Sequence, residues 1–357
     1  MEALLTLQTL ETLEAIERIE GAENAPRRQK IYQERCDPFS LPDVEFKRRY
    51  RFNKNTMNFI IDLVRQDLQL DSRGCGTSPE LQVLTAIRCW GRREVQDDGG
   101  EIHGLSQPTV SRICARVARA IARHSGTYIK MPESLAEQEK VMREFYNIRR
   151  FPSVLGCIDC THIKIKKYGG DAAQYYINRK GYYSMNVQVT CDAELKIMDI
   201  VARWRGSTHD SRIFNESTLK ERFERGEFRG RLLGDSGYRL ESYLFTPILR
   251  PQNEQEQRYN QAQIATRNCV ERCFGVWKQR FQCLLNGLTV HMHNVKPTIV
   301  ALAVLHNIAI GNEDLVPDQG NEIIEIQDAV AEPRVNEDRG RGPNSAILRA
   351  FIDRHFR

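Results

Sequence analysis

VLGCIDCTHIKI, residues 154–165, decides how the second half of this chain folds. Val154, Leu155, Ile158, Ile163 and Ile165 form an apolar, β-branched run that predicts a buried strand, and Asp159 interrupts it. A carboxylate in the middle of a buried strand is strongly disfavoured unless a cation or strong hydrogen bonds compensate its lost hydration. The stretch therefore predicts a sheet and, at Asp159, a partner such as a divalent metal.

Two further acids stand in comparable settings. Asp235 lies in RLLGDSGYRL (231–240), where a short apolar strand stops at Gly234 and the turn-forming pair Ser236 and Gly237, placing the carboxylate at a strand end. Strand ends are where α/β sheets keep their sites. Glu271 lies in NCVERCFGVWKQRF (268–281), whose Cys269, Cys273, Val276, Trp277 and Phe281 recur at helical spacing. Glu271 points away from that stripe, alongside Arg267, Gly275 and Lys278. Dozens of residues separate the three acids, so only a tertiary fold can unite them. Hard oxygen ligands without a His/Cys cage suit Mg²⁺ or Mn²⁺, and two such ions can promote in-line displacement at a phosphodiester.

A fourth acid, Asp210 in GSTHDSRIF, follows the strand-like KIMDIVARW (196–204) and opens the next helix. It has two readings that stay open here: a metal ligand, or a helix-start residue satisfying free backbone N–H groups. His162 and His209 flank the acids and fit a hydrogen-bonding or substrate-contact role better than that of a general base. Cys157 with Cys160 has C-x-x-C spacing, and Cys269 with Cys273 has helical spacing. The first pair points to opposite faces of a strand and the second falls on the buried stripe, so both read as core thiols and not as a zinc site.

Net charge is only +5, from 52 Lys+Arg against 47 Asp+Glu, so its distribution matters more than its total. In LSQPTVSRICARVARAIARH (105–124), Val110, Ile113, Val117 and Ile121 share one helical face and Arg112, Arg116, Arg119 and Arg123 the opposite one. Ser106 is placed to cap this helix and Pro108 fits its first turn. With the preceding LQVLTAIRCW (81–90) it predicts a helix-turn-helix-like pair, although the intervening GRREVQDDGGEIHG is longer than a compact one needs. A solvated face is the ordinary explanation of a basic helix. No acid sits at i±3 or i±4 here, which favours contact with a DNA backbone. EFKRRYRFNK (45–54) reads as a core helix through Phe46 and Tyr50. Near the acids, Lys164, Lys166, Lys167, Arg179 and Lys180 supply the positive charge a phosphate substrate needs, and Lys278 joins them as a nucleic-acid contact.

The order of GCIDCTHIKI, YYINRKGYYSMNVQVTCD, WRGSTHDSRIF, LLGDSGY, VERCFGVWKQRF and AVLHNIA resembles that of PIF/Harbinger-type DDE transposases, densely over residues 150–310. The resemblance implies an RNase H-like catalytic domain, with Asp159, Asp235 and Glu271 as metal-binding catalytic residues and an acid at the position of Asp210. It also implies a separate Myb-like DNA-binding partner that assists nuclear entry.

The expected organisation is an amphipathic helix and linker over 1–35, with Leu4, Leu7, Ile16 and Ile19 among its apolar positions. An all-helical, helix-turn-helix-like domain over 36–148 follows. Residues 149–310 form the mixed-sheet α/β nuclease domain with flanking helices, 311–342 an acidic flexible tail, and 343–357 a last helix. No charge-free apolar run reaches membrane-spanning length, and ten cysteines without small-domain spacing favour reduced thiols in the nucleus and cytoplasm. The expected activity is a divalent-metal-dependent DNA endonuclease, with self-association left open. Its rivals are a DNA-binding adaptor that has lost catalysis and an RNase H-like ribonuclease.

Overall fold

The computed structural model describes residues 37–69, 77–92, 104–169, 171–314 and 343–357. The expected helix over 1–35, the loop over 93–103 and the acidic segment over 315–342 lie outside the described residues.

The chain alternates as the apolar run of 154–165 requires. Strands β1 (Val154–Lys164), β2 (Ser184–Cys191) and β3 (Ile197–Arg205) form an antiparallel meander. After helices α6 (Asp210–Asn215) and α7 (Thr218–Glu224), β4 (Arg231–Leu233) returns parallel to β1, and β5 (Leu244–Phe245) follows parallel to β4. The described residues thus hold a mixed five-stranded sheet of order β3-β2-β1-β4-β5. The sheet changes direction at β1, whose two neighbours belong to different parts of the chain. β4 pairs with β1 only as far as Cys157, and the next bridge on that edge joins Ile165 to Leu288. The edge of β1 between them is open, and Asp159 lies on this stretch.

Alternation along β1, shifted once by the irregularity between Val154 and Gly156, sorts side chains between two layers. Leu155 and Ile158 face a smaller core with Phe214, Leu219 and Phe223 of α6 and α7. Val154, Cys157 and Ile163 face the larger core under α8 (Glu254–Arg280) and α9 (Met292–Gly311). By length and composition α9 could cross a membrane, but its apolar window is 72% buried inside the fold and it carries Lys296. It is a core helix.

The preceding helices are α1 (Asp43–Tyr50), α2 (Lys54–Leu68), α3 (Pro79–Gly91), α4 (Gln107–Ala122) and α5 (Leu135–Arg149). They join the larger core, with Phe46 and Tyr50 fully buried as their spacing predicts and Phe52 buried beside them. Helix α4 buries Val110, Ile113, Val117 and Ile121 and packs against both α3 and α9. Pro108 sits in its first turn, but Ser106 makes no capping bond to the backbone; its hydroxyl pairs with that of Thr109 at 2.9 Å. At the other end of this junction the buried guanidinium of Arg280 donates to the carbonyl oxygen of Arg51 at 2.6 Å and to that of Asp314. Burial lowers the pKa of Arg280 to about 10. An ionic group so enclosed holds the helices to α8 because removing either side strands a buried polar group.

Candidate active site

Three successive inward positions of β1 engage α8. The Cys157 thiol lies 3.6 Å from the carbonyl oxygen of Thr266, Arg267 Nη1 donates to Asp159 Oδ2 at 2.8 Å, and Lys278 Nζ donates to Thr161 Oγ1 at 2.6 Å. This periodicity fixes Asp159 under the helix, with its other oxygen accepting from the backbone N–H of Cys160 at 2.7 Å. Arg267 Nη2 donates to Glu271 Oε1, one turn along α8, at 2.6 Å. One guanidinium therefore spans two of the three expected acids. Asp159 and Arg267 are only 17% and 14% exposed, whereas Glu271 is 53% exposed and faces solvent.

Asp235 follows β4, which stops opposite Cys157, and its Oδ1 accepts from the backbone N–H of Gly237 at 2.9 Å in the predicted turn. Asp210 approaches from the opposite face. It occupies the first position of α6, where His209 is the N-cap and no side chain caps the helix. The cap reading is thus not met: Asp210 instead accepts from Asn186 Nδ2 at 2.8 Å, and the same amide donates to the carbonyl oxygen of Thr208 at 2.8 Å. Asn186 stands opposite His162 in the β1–β2 pair, and His162 Nδ1 lies 3.1 Å from Ser184 Oγ.

The electrostatics match this crowding. Burial, then the neighbouring Asp235 carboxylate, pushes the Asp159 carboxyl up to about 8 against the opposing pull of Arg267. Asp235 is likewise raised by burial and then by Asp210, with Arg267 and Arg179 opposing. Burial works against the Arg267 charge, but Asp159 and Glu271 outweigh it and hold its pKa above the usual value. Carboxylates that resist ionisation together mark a place where added positive charge is favoured.

Among the described residues no three His, Cys, Asp or Glu side chains already converge into a metal cage. The donor chemistry nonetheless fits a hard divalent cation, since the groups are carboxylates with unmet demand for positive charge. Asp159, Asp235, Glu271 and Asp210 are the oxygens available to it.

The expected nucleic-acid contacts divide. Lys164 and Lys166 are exposed, with Lys164 Nζ 5.2 Å from the Tyr182 ring centre. Lys278 is not a surface contact: it is 5% exposed and bound to Thr161. It lies four residues beyond Phe274 and eight beyond Val270, so it continues the buried ridge of α8 instead of the polar face. The arginines of α4 are also more engaged than their sequence neighbours imply. Arg116 donates to Gln82 Oε1 at 2.9 Å and Arg119 to Asn294 Oδ1 at 2.7 Å, while Arg123 pairs with Asp67 at 2.6 Å. Arg112 is exposed and reaches only back to the Pro108 carbonyl oxygen at 3.3 Å. Sequence reasoning missed the role of Arg267, although its position four residues before Glu271 on one helical face was the available signal.

The geometry can be set beside known proteins. The DDE superfamily endonuclease family matches residues 158–307. The human protein named "Putative nuclease HARBI1" is 32% identical over 282 residues, covering 77% of this chain and 80% of that protein. Its Xenopus laevis counterpart is 29% identical over 301 residues, covering 82% and 86%. Protein ALP1-like of Arabidopsis thaliana is 26% identical over 314 residues, covering 80% and 74%. No solved structure matches the chain.

Proposed function

Because this chain belongs to the Harbinger transposase-derived family of DDE superfamily endonucleases, we propose that it cuts DNA phosphodiesters in a divalent-metal-dependent reaction centred on Asp159, Asp235 and Glu271. The observation that carries this reading is the position of Asp159. It is half-buried on the open edge of β1, crowded by a second carboxylate and pushed up to about 8. A bound divalent cation would relieve this crowding and let both carboxylates ionise.

In this reading Asp159 and Asp235 present inward oxygens, and Glu271 completes the set from the solvent-facing side of α8. Asp210, held by Asn186, is the fourth ligand. Mg²⁺ or Mn²⁺, when bound, supplies the charge that activates the attacking water or 3′-hydroxyl and stabilises the leaving oxygen. Exposed Lys164, Lys166 and Arg179 hold the flanking phosphates, and Arg112 extends the track along α4. A transposition step through a 3′-hydroxyl uses the same groups. A Myb-like protein is the proposed partner in DNA targeting, and the nucleus and cytoplasm the proposed location. Eight described cysteines are free thiols, as in a reducing compartment.

One observation favours a second reading, that of a DNA-binding adaptor without catalysis: Arg267 already bonds both Asp159 and Glu271. Nicking of supercoiled DNA separates the two. Wild type with Mg²⁺ or Mn²⁺ is expected to nick, and Asp235→Asn, which removes one ligand charge, is not. Equal DNA binding by both proteins with no nicking by either supports the adaptor.

A further inference from the structure

We propose that the excursion joining β1 to β2, together with the end of β3, is a platform for unpaired nucleotides of the DNA substrate, with Tyr175 as its stacking ring. The proposal rests on the nuclease reading for its substrate and deepens it.

Tyr175 is 49% exposed, so one face of its ring is open to solvent. The Arg205 guanidinium lies 5.1 Å from its ring centre and 5.8 Å from that of Tyr176. Neither Arg205 nor Arg179 forms a salt bridge with a described carboxylate, so the charge of each stays available to a phosphate. At the far end of the excursion the arrangement repeats, with Lys164 beside the Tyr182 ring. Alternating exposed cations and aromatic rings suit a strand whose phosphates and bases are both accessible. Paired bases inside a duplex offer no free face to such rings.

The platform is built and is tied to the acids. Ser207 donates to the Tyr175 carbonyl oxygen twice, from its backbone N–H at 3.2 Å and its hydroxyl at 2.7 Å. Gly206 permits the close approach, because a Cβ there would overlap Ser184 Oγ and the Tyr176 carbonyl oxygen. Three residues after Ser207 comes Asp210, bound to Asn186, and Asn186 is the cross-strand partner of Trp204 next to Arg205. The Ile177–Tyr183 bridge closes the excursion, with the exposed Arg179 at its tip. Nucleotides seated on Tyr175 therefore lie against the segment that Ser207 ties down three residues before Asp210, with Arg179 available to their phosphates.

Fluorescence anisotropy in EDTA tests this without cleavage, comparing a labelled blunt duplex with the same duplex carrying a short unpaired tail. Wild type is expected to bind the tailed DNA at least about fivefold more tightly, the contribution of one stacked base. Tyr175→Ala is expected to erase that preference and leave blunt-duplex binding unchanged, whereas Tyr175→Phe keeps it. If Tyr175→Ala melts early, Arg205→Gln decides: it should weaken tailed binding and flatten its salt dependence. No tail preference in wild type, or equal weakening of both DNAs by Tyr175→Ala, overturns the platform. Tail preference in a protein that never nicks with Mg²⁺ or Mn²⁺ overturns only the nuclease reading, and nicking without tail preference overturns only the platform.

Discussion

Arg267 and Asp159 form a partly buried ion pair, 2.8 Å from Nη1 to Oδ2, between the helix and the strand that carry two of the three expected catalytic acids. The same guanidinium holds Glu271, so an internal cation sits where the proposed reaction calls for a metal. It lessens carboxylate repulsion, and a metal bound as proposed would compete with it for the same oxygens.

Arg267→Met is therefore expected to bind Mn²⁺ about tenfold more tightly than wild type by calorimetry, reflecting roughly 1.5 kcal/mol for a lost charge-assisted hydrogen bond. Its metal-free form should melt earlier, since two carboxylates lose their cation. Weaker Mn²⁺ binding would instead make Arg267 a residue that positions the ligands.

The raised Asp159 carboxyl gives a pH prediction of definite sign. Its folded value, about 8, exceeds the ordinary 3.8, so the folded protein binds the extra proton and stability is greatest at low pH. In EDTA, stability should fall by up to about 1.4 kcal/mol per pH unit as pH rises from about 4 to about 8. Asp192, raised to about 7, and Asp199, raised to about 6, add slopes of the same sign below those values. Asp159→Asn should melt later than wild type near pH 8 without metal and converge with it near pH 4. Mn²⁺ should restore wild-type stability at high pH but leave the variant unmoved. A flat wild-type profile over this range rejects the assignment.

Periodicity in the residues themselves carried the reading of β1 as a buried strand broken by Asp159, the turn after Asp235 and the outward aim of Glu271. The arginine face of α4 was legible as a face, but not in its partners. Gln82, Asn294 and Asp67 come from other segments, and no spacing rule inside a helix reports them. Lys278 departs from the expectation because the buried face of α8 is wider than the stripe: Cys269, Cys273, Trp277 and Phe281 are buried as expected, Val276 is half-buried, and Val270 and Phe274 extend the face so that it carries Lys278 inward. Pairings between distant segments, such as Arg267 with Asp159, depend on docking geometry that local pattern does not encode.

Burial of Lys278 separates its effects from those of a surface lysine. Lys278→Met should lower stability by about 1–3 kcal/mol, since Thr161 is left without its partner in a closed site. DNA affinity and its salt dependence should stay as in wild type. Lys166→Met should do the reverse, leaving the melting temperature unchanged while reducing the salt slope by about one ion. Filter binding over a salt series, beside thermal melts, checks both. A reduced salt slope for Lys278→Met would mean that α8 moves enough to release the ammonium to DNA.

The arginines of α4 are expected to rank by their present engagement. Arg112 is exposed and makes only a local contact to the carbonyl oxygen of Pro108, so a phosphate gains it at little loss. Arg119 must first leave Asn294 on α9, and Arg116 must leave Gln82 on α3. Arg112→Ala should therefore weaken duplex binding several-fold with no change in melting temperature, and flatten the salt dependence by about one ion. Arg119→Ala should lower the melting temperature, because it unties α4 from α9, and change DNA affinity less. Equal losses of affinity from the two variants would mean that the whole arginine face meets DNA and that the contacts to Asn294 and Gln82 give way on binding.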